Sequence, residues 1–254
     1  MLHVRKPFEY RILALLCALA PGAQAQDEAQ RPGPWHIGVG GIAIDQPYAG
    51  GGTEFNGFPV VGYLGERLQV FGPRANYLLV GNATFSLKAD ASVRFSGYEP
   101  EDDAALQGMD DRDMTLEAGL TVSAGGALGD VDLSVLTDVL DRHSGQEAVL
   151  RYGYDIGDRS LMVTPFAGLR WINSSLADYY YGVRPEEATP GRPEYAVSST
   201  VSPFVGVSAR YRLTSRWNLF GMLASHRLPD ELRESPVVEA GTSTMLLLTV
   251  TRSL

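Results

Sequence analysis

Residues 83–95 read ATFSLKADASVRF, an unbroken period of two. Phe85, Leu87, Ala89, Ala91, Val93 and Phe95 fall on one side, and Thr84, Ser86, Lys88, Asp90, Ser92 and Arg94 on the other. A strand points successive side chains to opposite faces, so this segment predicts a strand with one apolar and one charged face. The pattern returns at Leu116, Ala118, Leu120 and Val122 against Glu117, Gly119, Thr121 and Ser123. It returns again at Val205, Val207, Ala209, Tyr211 and Leu213 against Gly206, Ser208, Arg210, Arg212 and Thr214. Beyond the N-terminal segment, helical spacing is not sustained anywhere.

A soluble sandwich also alternates, so segment length and loop placement decide where the strands lie. Twelve strands are predicted, at 35–44, 57–64, 66–71, 76–81, 83–96, 114–124, 129–137, 147–155, 160–171, 199–212, 216–225 and 244–254. Several approach the roughly 9–11 residues of a tilted membrane-spanning strand. With the N-terminus in the periplasm, the even-to-odd connections are tight: Leu64-Gly65-Glu66, Gly81-Asn82, Gly125 to Leu128, Asp155 to Asp158, and Leu213 to Ser215. The odd-to-even ones include the long stretches 45–56, 97–113, 172–198 and 226–243. Short turns at one end, long loops at the other and an even count describe a bacterial outer-membrane barrel of about 10–12 strands, with twelve favoured. An open sheet in hydrocarbon would strand its edge N–H and C=O groups, so the first strand is expected to pair with the last.

The N-terminus fits export. Arg5, Lys6 and Arg11 precede an apolar run from Ile12 to Ala20, and Ala23-Gln24-Ala25 places small residues where a signal peptidase reads. Residues 1–25 are therefore predicted to be a signal peptide, with Gln26 the mature start and 26–34 a flexible periplasmic lead to one barrel domain, 26–254. Lipidation at Cys17 is disfavoured, because Leu16 stands where a small residue is required. The mature chain then has no cysteine for disulfide, metal or nucleophile chemistry. The signal carries a net +2 (three cations and Glu9), so the total of −9 becomes −11, which argues against nucleic acid as a partner. Past the signal, no stretch reaches the roughly 18 apolar residues of a spanning helix.

Several segments resemble the MipA/OmpV family of outer-membrane proteins. The most specific is Tyr179-Tyr180-Tyr181-Gly182-Val183, followed by Glu187-Ala188 and Tyr195. Others are Trp35 to Gly40, Pro47-Tyr48-Ala49-Gly50, Leu106-Gln107-Gly108-Met109, Asp138 to Gly145, and Leu228 with Ser235-Pro236-Val237-Val238. The resemblance implies a barrel in the cell outer membrane of a Gram-negative bacterium. It further implies roles seen within that family: a scaffold joining a murein lytic transglycosylase to a bifunctional penicillin-binding protein, adhesion, osmotic response or small-solute passage. The chain departs from outer-membrane barrels in finishing on Leu254, with Arg252 where another apolar residue is usual, while Leu246, Leu248 and Val250 alternate correctly.

Three constellations invite a chemical reading. Asp138, Asp141, His143 and Ser144 hold the residue types of a hydrolytic triad, but neighbours on a strand face apart, and a loop-ordering role is preferred. Glu99, Glu101, Asp102, Asp103, Asp110, Asp111 and Asp113 supply oxygen ligands without EF-hand spacing, which favours a solvated acidic loop over a calcium site. His36 and His226 have no ligand-spaced companion, so no metal or cofactor is expected. Tyr179, Tyr180 and Tyr181 are the candidate partner or ligand contacts, set against packing in a girdle or loop. Lys88, Asp90, Arg94, Arg210 and Arg212 are the candidate lumen-lining residues, either around water or paired to plug the barrel.

These readings point to a non-enzymatic envelope scaffold. The alternatives are a narrow diffusion channel or a surface adhesin. Expected partners are outer-membrane lipid and lipopolysaccharide, with a murein transglycosylase and a penicillin-binding protein from the resemblance.

Overall fold

The computed structural model describes residues 33–82, 84–100 and 103–254, so the predicted signal peptide 1–25, residues 26–32 of the predicted lead, Ala83, Glu101 and Asp102 lie outside the described residues. Twelve antiparallel staves make one sheet: β1 (Trp35–Asp45), β2 (Thr53–Leu64), β3 (Leu68–Phe71), β4 (Arg74–Gly81), β5 (Phe85–Arg94), β6 (Thr115–Gly126), β7 (Gly129–Asp138), β8 (Gln146–Gly153), β9 (Leu161–Ile172), β10 (Thr200–Arg212), β11 (Trp217–Arg227) and β12 (Thr242–Ser253). A two-residue piece, Ile156–Gly157, continues β8 after a break and pairs with the same neighbour, β9. β1 pairs with β12 from His36 opposite Ser253 to Ile44 opposite Met245, which closes the sheet into a barrel. Every predicted strand has its counterpart, and the main boundary change is that β2 begins at Thr53.

Three prolines sit where the ladder has no use for a donor. Pro165 faces the break in β8, where its carbonyl accepts from Tyr154 N at 3.1 Å and no proline N–H exists to bridge the gap. Pro59 lies on β2 above the reach of β3, which pairs only with Gly62, Tyr63 and Leu64. Pro203 stands just beyond the last pair of β10 with β11, Phe204 opposite His226.

The loops sort by end. Residues 65–67, 82–84, 127–128, 158–160 and 213–216 make tight turns at one end, while 46–52, 95–114, 139–145, 173–199 and 228–241 connect staves at the other. The loop end also holds one tight turn, where Gly72 (φ +56°) leads into Pro73 and cuts β3 to four residues. Two short helices correct the expectation of none: α1 (Ser174–Tyr181) and α2 (Asp230–Arg233). Eight residues are two turns, too few to display a repeating period. The remaining signal is Asn173, whose side chain caps α1 by accepting from Leu176 N at 3.1 Å.

The outer face is apolar, with Val39, Leu120, Val135, Leu169, Val205, Leu223 and Leu248 all exposed. Trp35, Phe85, Tyr152, Tyr211 and Trp217 ring its turn end, the placement of an interfacial aromatic girdle. Among the described residues no helix is long and apolar enough to cross a membrane.

The interior divides into two sectors, although the alternation predicts a polar inner face throughout. Between β9 and β1 the inner wall is apolar at mid-height, where Ile42, Ile44, Phe166, Phe204, Phe220, Met222, Met245 and Leu247 form one buried cluster with Phe58 against it and uncharged polar residues such as Ser202, Thr249 and Thr251 lie beyond. Several of its rings lie over glycines on the next stave. A Cβ on Gly40 would come within 2.6 Å of Phe58, one on Gly168 within 2.7 Å of Phe204 Cε1, and one on Gly206 within 2.8 Å of Phe166 Cε2. From β4 to β8 the inner wall is instead charged, with Asp90, Arg94, Glu117, Asp132, Glu147 and Arg151 buried.

Candidate functional site

Two assemblies carry the unusual chemistry: the charged inner wall and a cap over the loop end. In the wall, Arg94 on β5 donates from Nε and Nη2 to Glu117 on β6 (2.8 and 3.0 Å) and from Nη2 to Glu147 on β8 (2.7 Å). Arg170 on β9 pairs with the same Glu147. Two cations thus balance two carboxylates, which a low-dielectric interior requires. Lower down, Arg74 pairs with Asp90 at 3.4 Å and Arg151 with Asp132 at 3.2 Å. Arg151 also lies 4.7 Å from the centre of the Phe166 ring, where the charged sector meets the apolar one.

Of the lumen candidates, Asp90 and Arg94 are therefore buried in ion pairs across staves. Lys88 and Arg210 are half-buried on the inner face, and Arg212 is exposed at the turn end; none of these three has an ion-pair partner among the described residues.

The cap is built from four loops that share a core. Leu176, Ala177 and Tyr180 of α1 pack on Ile172, Val197, Leu228 and Leu232. Tyr48, Tyr98, Leu106, Met109, Val183 and Val237 make a second cluster, and Tyr181, Tyr195 and Val238 touch both. Arg192 ties the loops together by donating to the carbonyls of Ala105, Gln107 and Glu187. The three candidate tyrosines belong to this packing. Tyr180 is 1% exposed and donates to Asp113 O at 3.2 Å, Tyr179 accepts from Asp113 N at 3.0 Å, and Tyr181 stacks on Tyr48 at 5.7 Å. Burial raises the pKa of Tyr180 and pushes Tyr98 up to about 12, so both stay neutral hydroxyls.

The acidic loop is used internally. Asp103 caps the short turn Ala104–Leu106, Asp110 pairs with Arg184 at 2.7 Å, and Asp113 pairs with Arg142 at 3.1 Å. No metal-sized group of three or more His, Cys, Asp or Glu occurs among the described residues.

The Asp138 to Gly145 turn is organised by a carboxylate. Asp138 accepts from Thr115 Oγ1 (2.5 Å) and from the backbone N–H groups of Leu140 (3.0 Å), His143 (2.8 Å) and Ser144 (3.1 Å). Ser144 donates its hydroxyl to Asp141 at 2.5 Å, and His143 Nδ1 accepts from Gly145 N at 2.9 Å. The hydroxyl and the imidazole therefore face different partners, and no Ser–His pair of the kind a nucleophile needs is assembled. Burial holds His143 below its ordinary pKa, with the Arg94 charge acting in the same direction.

Arg112, Glu187, Arg192, Glu147 and Arg170 escaped the sequence reading as functional residues. Apart from short-range backbone contacts such as Arg192 with the Glu187 carbonyl, their partners lie 23 to 87 residues away in the chain, and only charges of opposite sign at inward positions hinted at the wall.

A barrel closed by pairing of its first and last strands, apolar outside, girdled by aromatics at its turn end and capped by packed loops at its other end is an outer-membrane β-barrel. The chain belongs to the MltA-interacting protein MipA family, whose model matches residues 37–254. It is 29% identical to the MltA-interacting protein of Escherichia coli (strain K12) over 232 residues, covering 90% of this chain and 92% of that one. It is 27% identical to the putative outer membrane protein YiaT of the same strain, over 82% of this chain and 85% of that one. The outer membrane protein OmpV of Vibrio cholerae is 28% identical, over 86% of each.

Proposed function

We propose that this barrel is a non-enzymatic envelope protein that works through its surfaces, holding a murein lytic transglycosylase, and with it a murein synthase of the penicillin-binding type, at the outer membrane. One observation carries the reading: the buried charged groups of the barrel and cap pair with one another, in the Arg94–Glu117–Glu147–Arg170 wall and in the loops, instead of converging on a reacting group. The relative named for interaction with MltA supports the choice of transglycosylase. The synthase rests on the family resemblance.

Barrels of this kind put their short turns in the periplasm and their long loops outside, so a periplasmic partner meets the turn end. That end exposes Arg67, Arg159, Arg212 and Arg216, none ion-paired among the described residues, alongside the carboxylates Glu66, Asp155 and Asp158, and the 212–216 turn, which holds two of the arginines and no acid, is the part that suits an acidic protein surface. Pull-down with purified transglycosylases and synthases tests the proposal. Retention of a transglycosylase that weakens with salt and in an Arg212→Glu/Arg216→Glu variant supports it; retention no better than an unrelated barrel ends it.

The charged inner wall favours a second reading, a narrow diffusion channel. Planar-bilayer recording separates the two. Steady conductance that shifts on Lys88→Gln or Arg210→Gln would replace the surface reading, and a silent bilayer would remove the channel.

A further inference from the structure

The outer surface carries a recess at the turn end. Trp35 on β1, Val61, Gly62 and Tyr63 on β2, and Leu68 and Val70 on β3 line a pocket of about 370 Å³. Its size falls within the roughly 300–1,000 Å³ of small-molecule clefts. Trp35, Val61 and Leu68 are all exposed on the outer face, so the recess opens outward, toward lipid. Its form follows from local sequence. Val61 and Tyr63 alternate outward on β2 while Gly62 turns inward beneath Phe71, and the Gly72-Pro73 turn stops β3 after four residues. Trp35 and Tyr63 stand edge to face with ring centroids 5.1 Å apart. Tyr63 folds down toward the turn: a Cβ on Gly65 would lie 2.9 Å from its hydroxyl. An amphipathic ring in that pose belongs at the boundary between hydrocarbon and headgroups.

Two cations flank the recess. Arg252 is the cross-strand partner of both Ile37 and Trp217 on the outer face, which makes it a diagonal neighbour of Trp35. Arg67 is exposed in the turn directly before Leu68. Neither guanidinium has a hydrogen-bond or ion-pair partner among the described residues. An apolar slot at membrane depth, with unpaired Arg67 at its aqueous end and unpaired Arg252 beside it at the level of Val61, from where a long side chain reaches toward the headgroups, matches one amphiphile: a chain for the slot and a phosphate for the arginines. The turn end faces the periplasm, so the leaflet it meets is the inner one.

We infer that this recess is a discrete phospholipid site, seating one acyl chain between Trp35, Tyr63 and Val70 with the headgroup phosphate held by Arg252 and Arg67. This inference depends on the outer-membrane placement and is independent of any protein partner.

The test is native mass spectrometry of the full mature barrel after detergent delipidation. The expected result is retained phospholipid at one per barrel. Val70→Trp, which fills the slot, should lose it, while Arg252→Gln/Arg67→Gln should lose preference for anionic over zwitterionic headgroups. Heat-modifiability on a gel shows which variants are folded. A second measurement needs no variant: in nanodiscs holding a phosphatidylglycerol with a photoactivatable acyl chain, crosslinks should concentrate on residues 61–70. Barrels stripped clean of lipid, equal retention by folded Val70→Trp, or crosslinks spread evenly around the girdle would each overturn the inference.

Discussion

Arg112 Nη2 donates to both carboxylate oxygens of Glu187 at 2.8 Å, joining loops 75 residues apart, with both side chains at most 2% exposed. Burial favours the neutral form of Glu187, but the backbone N–H groups of Arg184 and Asp110 and the Arg112 guanidinium outweigh it and lower its pKa. A carboxylate so held cannot lose its cation cheaply. Arg112→Ala leaves Glu187 charged and unpaired inside the cap, a change that typically costs about 3–5 kcal/mol, whereas replacing both partners by apolar residues is close to neutral. The expected outcome is rapid proteolysis within 95–114 and 173–199 in Arg112→Ala, with partial recovery in Arg112→Met/Glu187→Leu, where no buried charge is left unpaired but the N–H groups of Arg184 and Asp110 lose their acceptor. Heat-modifiability should be unchanged in both, because the staves do not depend on this pair.

Inside the barrel, Phe166 and Gly206 are cross-strand partners and Gly168 and Phe204 are another pair two positions on, so each ring lies over a glycine of the neighbouring stave. A ring that covers a glycine restores the side-chain packing the glycine lacks. Gly206→Val would push a branched carbon into space that Phe166 occupies, and Phe204 and Met222 in the same cluster leave the ring nowhere to go. Overpacking of this kind costs about 1–3 kcal/mol. The temperature at which the folded band converts on a gel should fall for Gly206→Val and recover in part when combined with Phe166→Leu. No shift in the single variant would mean that the apolar sector is loosely filled.

The barrel itself was legible because each stave repeats every two residues, and residues 83–95 show the repeat without interruption. The division of its interior was not. Met245-Leu246-Leu247-Leu248 is a continuous apolar run, and such a run signals a strand buried on both faces, which for β12 means lipid outside and Phe220, Met222 and Ile44 inside. The candidate inner-face residues lay on a readable face, yet the partners of Arg94 stand 23 and 53 positions away, a distance no local pattern spans. The tyrosines at 179–181 were visible as a run, whereas their helix was not, since two turns give a period no room to repeat.

His143 makes the cap sensitive to pH. Its ring is buried 5.7 Å from Tyr180 and 5.8 Å from Tyr179, with Asp138, Glu117 and Glu147 on one side of the charge balance and Arg94 on the other. The three carboxylates favour protonation, but burial and Arg94 prevail and hold the pKa below the ordinary 6.5. The folded cap therefore binds fewer protons at this site than the unfolded loop does. Stability from neutral His143 is fully present above pH 6.5 and is lost as the pH falls from there toward the folded value. Protonation would also displace the Gly145 N–H, which Nδ1 accepts at 2.9 Å. Hydrogen exchange of residues 139–145, corrected for intrinsic rates, should show protection at about pH 7.5 that declines by about pH 5.5. In His143→Asn, whose amide oxygen can take the same N–H, protection should stay level across that range. An equal decline in both proteins would assign the effect to a group other than this imidazole.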